Sequence, residues 1–144
     1  MSYSVLIVDP VVAVSHALGQ HLERRGHFVE VAARAAEAVR IRRRFDCAVL
    51  NTALADGSGL ELAGRLLAEN RAASVVFYGA ETDIELRVRA SNLGSFVHRS
   101  EGIHHLSRVI DDAVEDTQAR AASASRSEPA TGYDDFKSGA RRKR

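Results

Sequence analysis

The chain has 144 residues, a length typical of one domain with a short appendage. Its 45% hydrophobic and 27% charged residues are typical of a soluble globular protein. Its net charge of +1 is too small to indicate binding to nucleic acid or to a membrane surface. No apolar stretch approaches the roughly 20 residues that span a bilayer, and the N-terminus resembles a strand rather than a signal peptide. A cytoplasmic protein is therefore expected.

Apolar runs alternate with helical patterns, starting with Ser4–Val8, a continuous run typical of a strand buried on both faces. Asp9 is predicted to cap the first helix with Pro10 in its first position, and Gly26 to end it. The later predicted strands are Phe28–Ala32, Cys47–Leu50, 74–78 and Ser95–His98. The later predicted helices are 34–44, 60–69, a segment from the capping-box pair Thr82 and Glu85 to about Asn92, and a last helix from Gly102 with Ile103, Leu106, Ile110, Ala113 and Val114 on one face.

Five strands alternating with five helices predict an α/β fold, in which a parallel sheet is covered by helices on both faces. Helical periodicity fails after about Ala119, so we expect a domain over residues 1–120 and a flexible basic tail over 121–144. From Ala122 onward six basic and three acidic residues give +3, which leaves a net charge of −2 for the rest of the chain. The tail ends in "RRKR", a cluster that could hold an acidic partner, nucleic acid or an anionic lipid surface, or serve only as a solubilising end.

Several motifs resemble the receiver domain of bacterial two-component response regulators, of the chemotaxis-regulator type. They are "VLIVD" at the first strand, "LERRGHFVEVA" entering the second, "DGSGLEL" after the third, and "LGSFVHRSEGIHHL" around the fifth. The spacing from Asn51 to Gly59 equals the family's interval from phosphoacceptor to loop glycine. The resemblance covers roughly residues 4–118 and implies a doubly wound, five-stranded sheet of order 2-1-3-4-5, the flavodoxin-like receiver fold.

The resemblance also implies a phosphorylation pocket, from which this sequence departs at most positions. Asp9 is retained, but Pro10 replaces the second acid that helps to hold Mg²⁺, and Asn51 replaces the phosphoacceptor aspartate. A carboxamide is a poor nucleophile, and magnesium usually requires carboxylate charge. Gly79 stands at the family's serine or threonine position and Arg99 at its lysine position, so the hydroxyl is lost while the positive charge is kept.

Two further positions of the family pattern bear on signalling. Phe96 aligns with the aromatic switch residue, but the hydroxyl to which that residue is coupled is missing at Gly79. Ala55 stands where the family has a proline after the acceptor loop. Inside the pocket, Asp9 and Arg99 could form an ion pair with Asn51 bonded to one of them. Alternatively, Asp9 could cap the first helix while Arg99 points into solvent.

These departures predict a degenerate, single-domain receiver that is not an enzyme, has no catalytic residue, cofactor or metal, and acts by phosphorylation-independent protein–protein interaction. The resemblance implies that histidine kinases, other regulators or a second copy would bind the face of the fourth helix, fifth strand and fifth helix. Nucleic acid is not expected. Two alternatives stay open, namely a conventional phosphorelay regulator with unusual acceptor chemistry and a receiver that senses a small ligand in the altered pocket.

Other conspicuous residues have plainer interpretations. Five arginines crowd the predicted second helix, where a solvated face is favoured over a nucleic-acid surface; they are Arg34, Arg40, Arg42, Arg43 and Arg44. His98, His104 and His105 are close in sequence, but no cysteine or clear carboxylate joins them to form a metal site. The single cysteine, Cys47, lies in an apolar run and is predicted to be a buried thiol.

Overall fold

The central feature of the computed structural model, which describes residues 2–127, is a five-stranded parallel sheet. In chain order the elements are β1 (Ser4–Val8), α1 (Val12–Arg24), β2 (Phe28–Ala32), α2 (Ala35–Arg40), β3 (Cys47–Leu50), β4 (Ala53–Leu54), β5 (Gly57–Ser58), α3 (Gly59–Ala68), β6 (Val75–Gly79), α4 (Ile84–Ser91), β7 (Ser95–His98), a 3-10 turn (Arg99–Glu101) and α5 (Gly102–Ser127). The sheet order is β2-β1-β3-β6-β7. Because β4 and β5 form a separate antiparallel pair, the five predicted strands lie in the order 2-1-3-4-5, which confirms the predicted fold.

Two hydrophobic clusters cover the two faces of the sheet. Successive side chains of a strand point to opposite faces, so Leu6 and Val8 of β1 belong to one cluster and Val5 and Ile7 to the other. The first cluster includes side chains of α2, α3 and α4, and the second includes side chains of α1 and α5. A strand buried on both faces needs apolar residues at every position, which explains the continuous run in β1. Cys47 is buried in the second cluster, as predicted.

The start of α1 differs from its prediction. Val11 is the N-cap residue and provides no side-chain hydrogen bond, whereas Asp9 lies two residues earlier and its Oδ1 accepts from the backbone nitrogen of Val11 at 2.8 Å. The predictions of Asp9 as the cap and Pro10 as the first helical residue are therefore wrong. The predicted stop is confirmed, because the helix ends at Arg24 and Gly26 has a φ of 90°, a conformation that favours glycine.

The second helix is shorter than predicted. It ends at Arg40, so Arg42, Arg43 and Arg44 lie in the following loop and the prediction that they belong to the helix is wrong. Tertiary contacts outweigh the helix propensity of this segment. The guanidinium of Arg71 donates hydrogen bonds to the carbonyls of Val39 and Ile41, the latter at 3.2 Å, which turns the chain towards β3.

Other observed element boundaries differ from the predicted ones by a residue or more. Helix α3 and strand β6 are offset by one residue from the predicted 60–69 and 74–78. Asp83, not Thr82, caps α4, because its Oδ1 accepts from the backbone nitrogens of Glu85 and Leu86. Helix α5 begins at Gly102 as predicted, and its predicted apolar face packs into the second cluster.

The last helix also continues beyond the predicted domain boundary. Residues 121–127, predicted as the start of the tail, are helical, because alanine stabilises a helix even where apolar periodicity has failed. The rest of the predicted tail, 128–144, lies outside the described residues. The chain divides into two units, Met1–Val114 and Glu115–Arg144. Across residues 2–127, no helix is both long and apolar enough to cross a membrane.

A buried histidine next to β1 is expected to make stability depend on pH. The ring of His27 stacks on Tyr3 with centroids 3.7 Å apart, and its Nδ1 accepts from the backbone nitrogen of Tyr3 at 3.3 Å. The neutral ring therefore carries its proton on Nε2, which is buried without a partner. Burial, followed by the charge of Arg25, lowers the pKa of His27. The folded state thus binds this proton more weakly than the unfolded state does.

We expect stability from His27 to be fully present above the unfolded pKa of about 6.5 and to be lost as pH falls through the lower folded pKa. His27→Asn, which keeps an acceptor for the Tyr3 N–H but does not titrate, should reduce the acid-side slope of unfolding free energy by at most about 1.4 kcal/mol per pH unit. Urea unfolding between pH 8 and 5 measures both slopes. Parallel curves for parent and variant would contradict the assignment.

Candidate functional site

Four strand ends bring the predicted site residues to one edge of the sheet. Asp9 follows β1, Asn51 follows β3, Gly79 ends β6 and Arg99 follows β7. These strands are parallel and adjacent, so their carboxyl ends share one edge. In sheets of this kind, that edge is where ligands usually bind. Pro10 is exposed in the loop that leaves this edge.

Asp9 and Arg99 form the ion pair that was one of the two predicted arrangements. The Nη2 of Arg99 lies 3.6 Å from the Oδ2 of Asp9, whose side chain is only 3% exposed, while that of Arg99 is 36% exposed. The other carboxylate oxygen of Asp9 accepts from Val11. Arg99 thus neutralises the buried charge of Asp9. The Nε of Arg99 is itself buried without a partner.

Tyr78 supports this pair from the neighbouring strand. Its hydroxyl donates to the backbone carbonyl of Arg99 at 3.4 Å, and the guanidinium carbon of Arg99 lies 6.0 Å from the centroid of its ring. Burial raises the pKa of Tyr78, against the opposing effect of the Arg99 charge. The hydroxyl therefore stays protonated and available as a donor at neutral pH.

Asn51 is bonded to its own loop and not to the ion pair. Its Oδ1 accepts from the backbone nitrogen of Ala53 at 3.0 Å, so the expectation that it bonds to Asp9 or Arg99 is wrong. The reason is local, since an asparagine side chain readily accepts from the backbone two residues ahead. A Cβ added to Gly79 would lie 3.1 Å from that oxygen. The missing side chain at position 79 therefore leaves room for the carboxamide of Asn51.

The loop after Asn51 is fixed by contacts that the sequence analysis missed. It folds into the β4–β5 hairpin, and at its turn the carboxylate of Asp56 accepts from the backbone nitrogens of Ala35 and Ala36 at 2.8 and 3.0 Å. These backbone hydrogen bonds lower the pKa of Asp56. The segment "ADGS" has residues typical of a turn, and nothing in that pattern indicates that its aspartate caps a helix elsewhere in the chain.

Phe96, the predicted switch aromatic, lies on β7 and is partly buried. It packs against the first hydrophobic cluster, and the guanidinium carbon of Arg87 from α4 lies 4.9 Å from its ring centroid. The ring is thus held between the sheet and α4 by apolar packing and a cation–π contact.

The residues at this edge do not fit a magnesium ion, which the fold family implies. Asp9 already pairs with Arg99, the side chain of Pro10 has no ligand atom, and the side-chain oxygen of Asn51 is bonded to Ala53. Magnesium requires near-octahedral oxygen coordination and usually one or two carboxylates. Over the described residues, no group of three or more His, Cys, Asp or Glu side chains is arranged to hold a metal ion.

The three histidines of the fifth-strand region do not converge. The Nδ1 of His98 accepts from the backbone nitrogen of Ser100, and the carboxylate of Glu101 accepts from the backbone nitrogen of His98, which together cap the 3-10 turn. His105 lies 3.2 Å from Glu101, and His104 contacts the ring of His21. They serve as local structural residues.

Comparisons with known proteins agree with the observed fold. A family model described as the response regulator receiver domain matches residues 5–99. A CheY-like response regulator receiver domain from Methanospirillum hungatei is 22% identical with a TM-score of 0.76, covering 83% of this chain and 99% of that one. A Francisella response regulator receiver domain is 19% identical with a TM-score of 0.71, covering 80% and 98%. A search of curated protein sequences finds no significant match.

One structural relative is somewhat closer in sequence. The signal receiver domain of a modulated diguanylate cyclase from Desulfovibrio desulfuricans is 26% identical with a TM-score of 0.74, and the comparison covers 83% of this chain and 99% of that one. The family model matches residues 5–99, which is more than half of the chain, and these structural similarities agree with the observed fold.

Proposed function

The chain belongs to the response regulator receiver domain family, and from that premise we propose that it is a degenerate receiver that signals through protein–protein contacts without being phosphorylated. The observation that carries the proposal is the Asp9–Arg99 ion pair, in which a guanidinium neutralises the acid that would otherwise help to hold Mg²⁺. In a domain that still accepted phosphate, this carboxylate would have to be available to the metal.

The chemistry of Asn51 supports the same proposal. A carboxylate can attack a phosphoryl donor, whereas the nitrogen lone pair of a carboxamide is delocalised. The Asn51 oxygen is also committed to the backbone of Ala53, and Gly79 offers no hydroxyl to a phosphoryl group. The pocket thus holds its loop in one arrangement through its own hydrogen bonds. We propose that the domain stays in a single signalling state set by these contacts.

The surface of α4 supports binding to another protein. Ile84 and Val88 are one helical turn apart, and their residues are 77% and 56% exposed. Exposed apolar side chains on one helix face favour a protein contact when they are grouped. We propose that this face, with β7 and α5, binds a histidine kinase, another regulator or a second copy, and that the protein acts in the cytoplasm as a non-enzymatic module.

The test is a titration of the full chain with Mg²⁺ and beryllofluoride, a mimic of the phosphoryl group. We expect the amide NMR spectrum to show no saturable shifts at residues around Asn51, because the pocket lacks both a nucleophilic oxygen and an available metal ligand. The double variant Pro10→Asp/Asn51→Asp serves as the responsive control. Saturable shifts localised around Asn51 in the parent would overturn the proposal.

A further inference from the structure

A cleft lined by arginines lies at the end of the sheet opposite to Asn51. Five arginines line it together with Glu69, and its volume is about 470 Å³. We call it the arginine cleft; its arginines are Arg42, Arg43, Arg44, Arg65 and Arg71. Four of them lie in the segments that lead into the amino ends of β3 and β6, and Arg65 lies on α3. The cleft therefore shares no residue with the Asp9–Asn51 pocket.

Two residues of the cleft have structural roles. Arg71 donates to the carbonyls of Val39 and Ile41 at the end of α2 and to Glu69, so both terminal nitrogens of its guanidinium have partners. Glu69 pairs with Arg65 as well as Arg71, and the hydrogen bond from Arg65 is the main cause of its lowered pKa. The single carboxylate of the cleft is therefore ionised and already paired with two of the five arginines.

Other guanidinium groups of the cleft leave most of their donors free. The Nε of Arg44 donates to the Oδ1 of Asn70 at 3.1 Å, and the Nε of Arg65 donates to Glu69 at 3.0 Å. Arg42 has no hydrogen-bond or ion-pair partner among the side chains that the structure describes, those of residues 2–124. The terminal nitrogens of these three side chains thus have no acceptor within the described part of the chain, although each guanidinium presents a planar fork that suits an oxyanion.

The surroundings hold this arrangement in place. Asn70, which orients Arg44, has a φ of 56°, a left-handed conformation that asparagine tolerates better than most residues. The guanidinium carbon of Arg43 lies 4.1 Å from the centroid of the Phe28 ring, and its Nη1 is 3.9 Å from a carboxylate oxygen of Glu30. Stacking of this kind orders an arginine that solvent would otherwise leave mobile.

We propose that the arginine cleft binds a small anion carrying two or three linked phosphate groups. Arginine forks recognise phosphate through paired, charge-assisted hydrogen bonds, and several cations in one concavity attract a ligand with several negative charges. The volume is in the range of small-molecule sites. A long polyanion is disfavoured, because outside the basic segment from Ala122 onward the chain carries a net charge of −2.

The test is calorimetric titration of the full chain with inorganic tripolyphosphate. We expect saturable binding, weakened about tenfold by Arg42→Gln and further by Arg42→Gln/Arg44→Gln, since each removes a charge-assisted contact. The matched control is Arg24→Gln/Arg89→Gln, which removes the same charge from exposed positions on α1 and α4. It should bind like the parent. Thermal melting of each variant checks folding, which Arg42→Gln should not affect.

Titrations with other phosphate compounds identify the source of the phosphate groups. Equal affinities for tripolyphosphate and a nucleoside triphosphate would support recognition of the phosphate chain alone, and tighter binding of the nucleotide would support a nucleotide as the ligand. Equal weakening in the control variant, the absence of saturation, or tighter binding of a single-stranded oligonucleotide would overturn the proposal. Because beryllofluoride probes the opposite end of the sheet, failure here is distinguishable from failure of the proposed signalling mechanism.

Discussion

Gly59→Ala should lower the free energy of unfolding by about 3 kcal/mol, at the upper end of the usual cost of overpacking. A Cβ at this position would lie 2.0 Å from the carbonyl oxygen of Asn51 and 2.9 Å from its carbonyl carbon. These are backbone atoms at the end of β3, so no side-chain rotation can relieve the clash. Either the loop after Asn51 or the start of α3 must move. Urea unfolding of parent and variant measures the loss.

The control for this change lies in the same helix. Gly64 is inside α3, and a Cβ there would meet no atom within 4 Å. Gly64→Ala should therefore stabilise the protein by about 0.5–1 kcal/mol, the usual difference between the two residues inside a helix. If Gly59→Ala were tolerated as well as Gly64→Ala, the close approach of α3 to the Asn51 carbonyl would be contradicted.

The central strands could be predicted from the sequence because burial on both faces leaves little freedom of composition. Ser4–Val8 and Cys47–Leu50 were predicted with the observed bounds, as were the more exposed edge strands Phe28–Ala32 and Ser95–His98. A continuous apolar run reflects the burial of the segment itself, so a single sequence is enough to find such a strand. The strand order was available only through the resemblance, since many orders are compatible with alternating strands and helices.

The helix ends were harder, because tertiary contacts decide them. Aspartate is a common N-cap residue, yet the carboxylate of Asp9 pairs with Arg99, ninety residues further along the chain. The pattern after Arg40 favours a helix, yet Arg71 binds the carbonyls at that point and the chain turns away. Both partners are distant in sequence, and no periodicity within the helix itself indicates them.

The placement of the candidate site residues was predictable, but their contacts were not. The order of strands places Asp9, Asn51, Gly79 and Arg99 at one edge, and the sequence identified all four. Which groups bond to one another depends on side-chain directions that spacing does not determine. The oxygen of Asn51 bonds to Ala53, only two residues away, although charged partners had been expected for it.

Asn51→Asp alone should make the protein about 1 kcal/mol less stable at neutral pH and should not allow efficient phosphorylation. The change restores a nucleophilic oxygen, but it adds a second carboxylate at the edge where Asp9 already has its charge balanced by Arg99. Without a metal the two acids repel each other. Repulsion raises the folded-state pKa of the introduced carboxyl above its unfolded value of about 3.9, so the deficit should shrink as pH falls through that raised pKa and should be gone below about pH 4.

Adding Pro10→Asp should create a metal site, because three carboxylates would then follow β1 and β3 at one edge of the sheet. Since Mg²⁺ would bind only the folded form, it should restore stability, by about 2.7 kcal/mol at a concentration 100 times the dissociation constant. Phosphorylation should stay slow, because Gly79 offers no hydroxyl and Arg99 replaces the family's lysine. Unfolding midpoints with and without Mg²⁺, and phosphate incorporation from a small-molecule donor, test the parent and both variants. Rapid phosphorylation of Asn51→Asp alone would disprove the degenerate-receiver proposal. If Mg²⁺ does not change the unfolding midpoint of the double variant, positions 9, 10 and 51 do not converge.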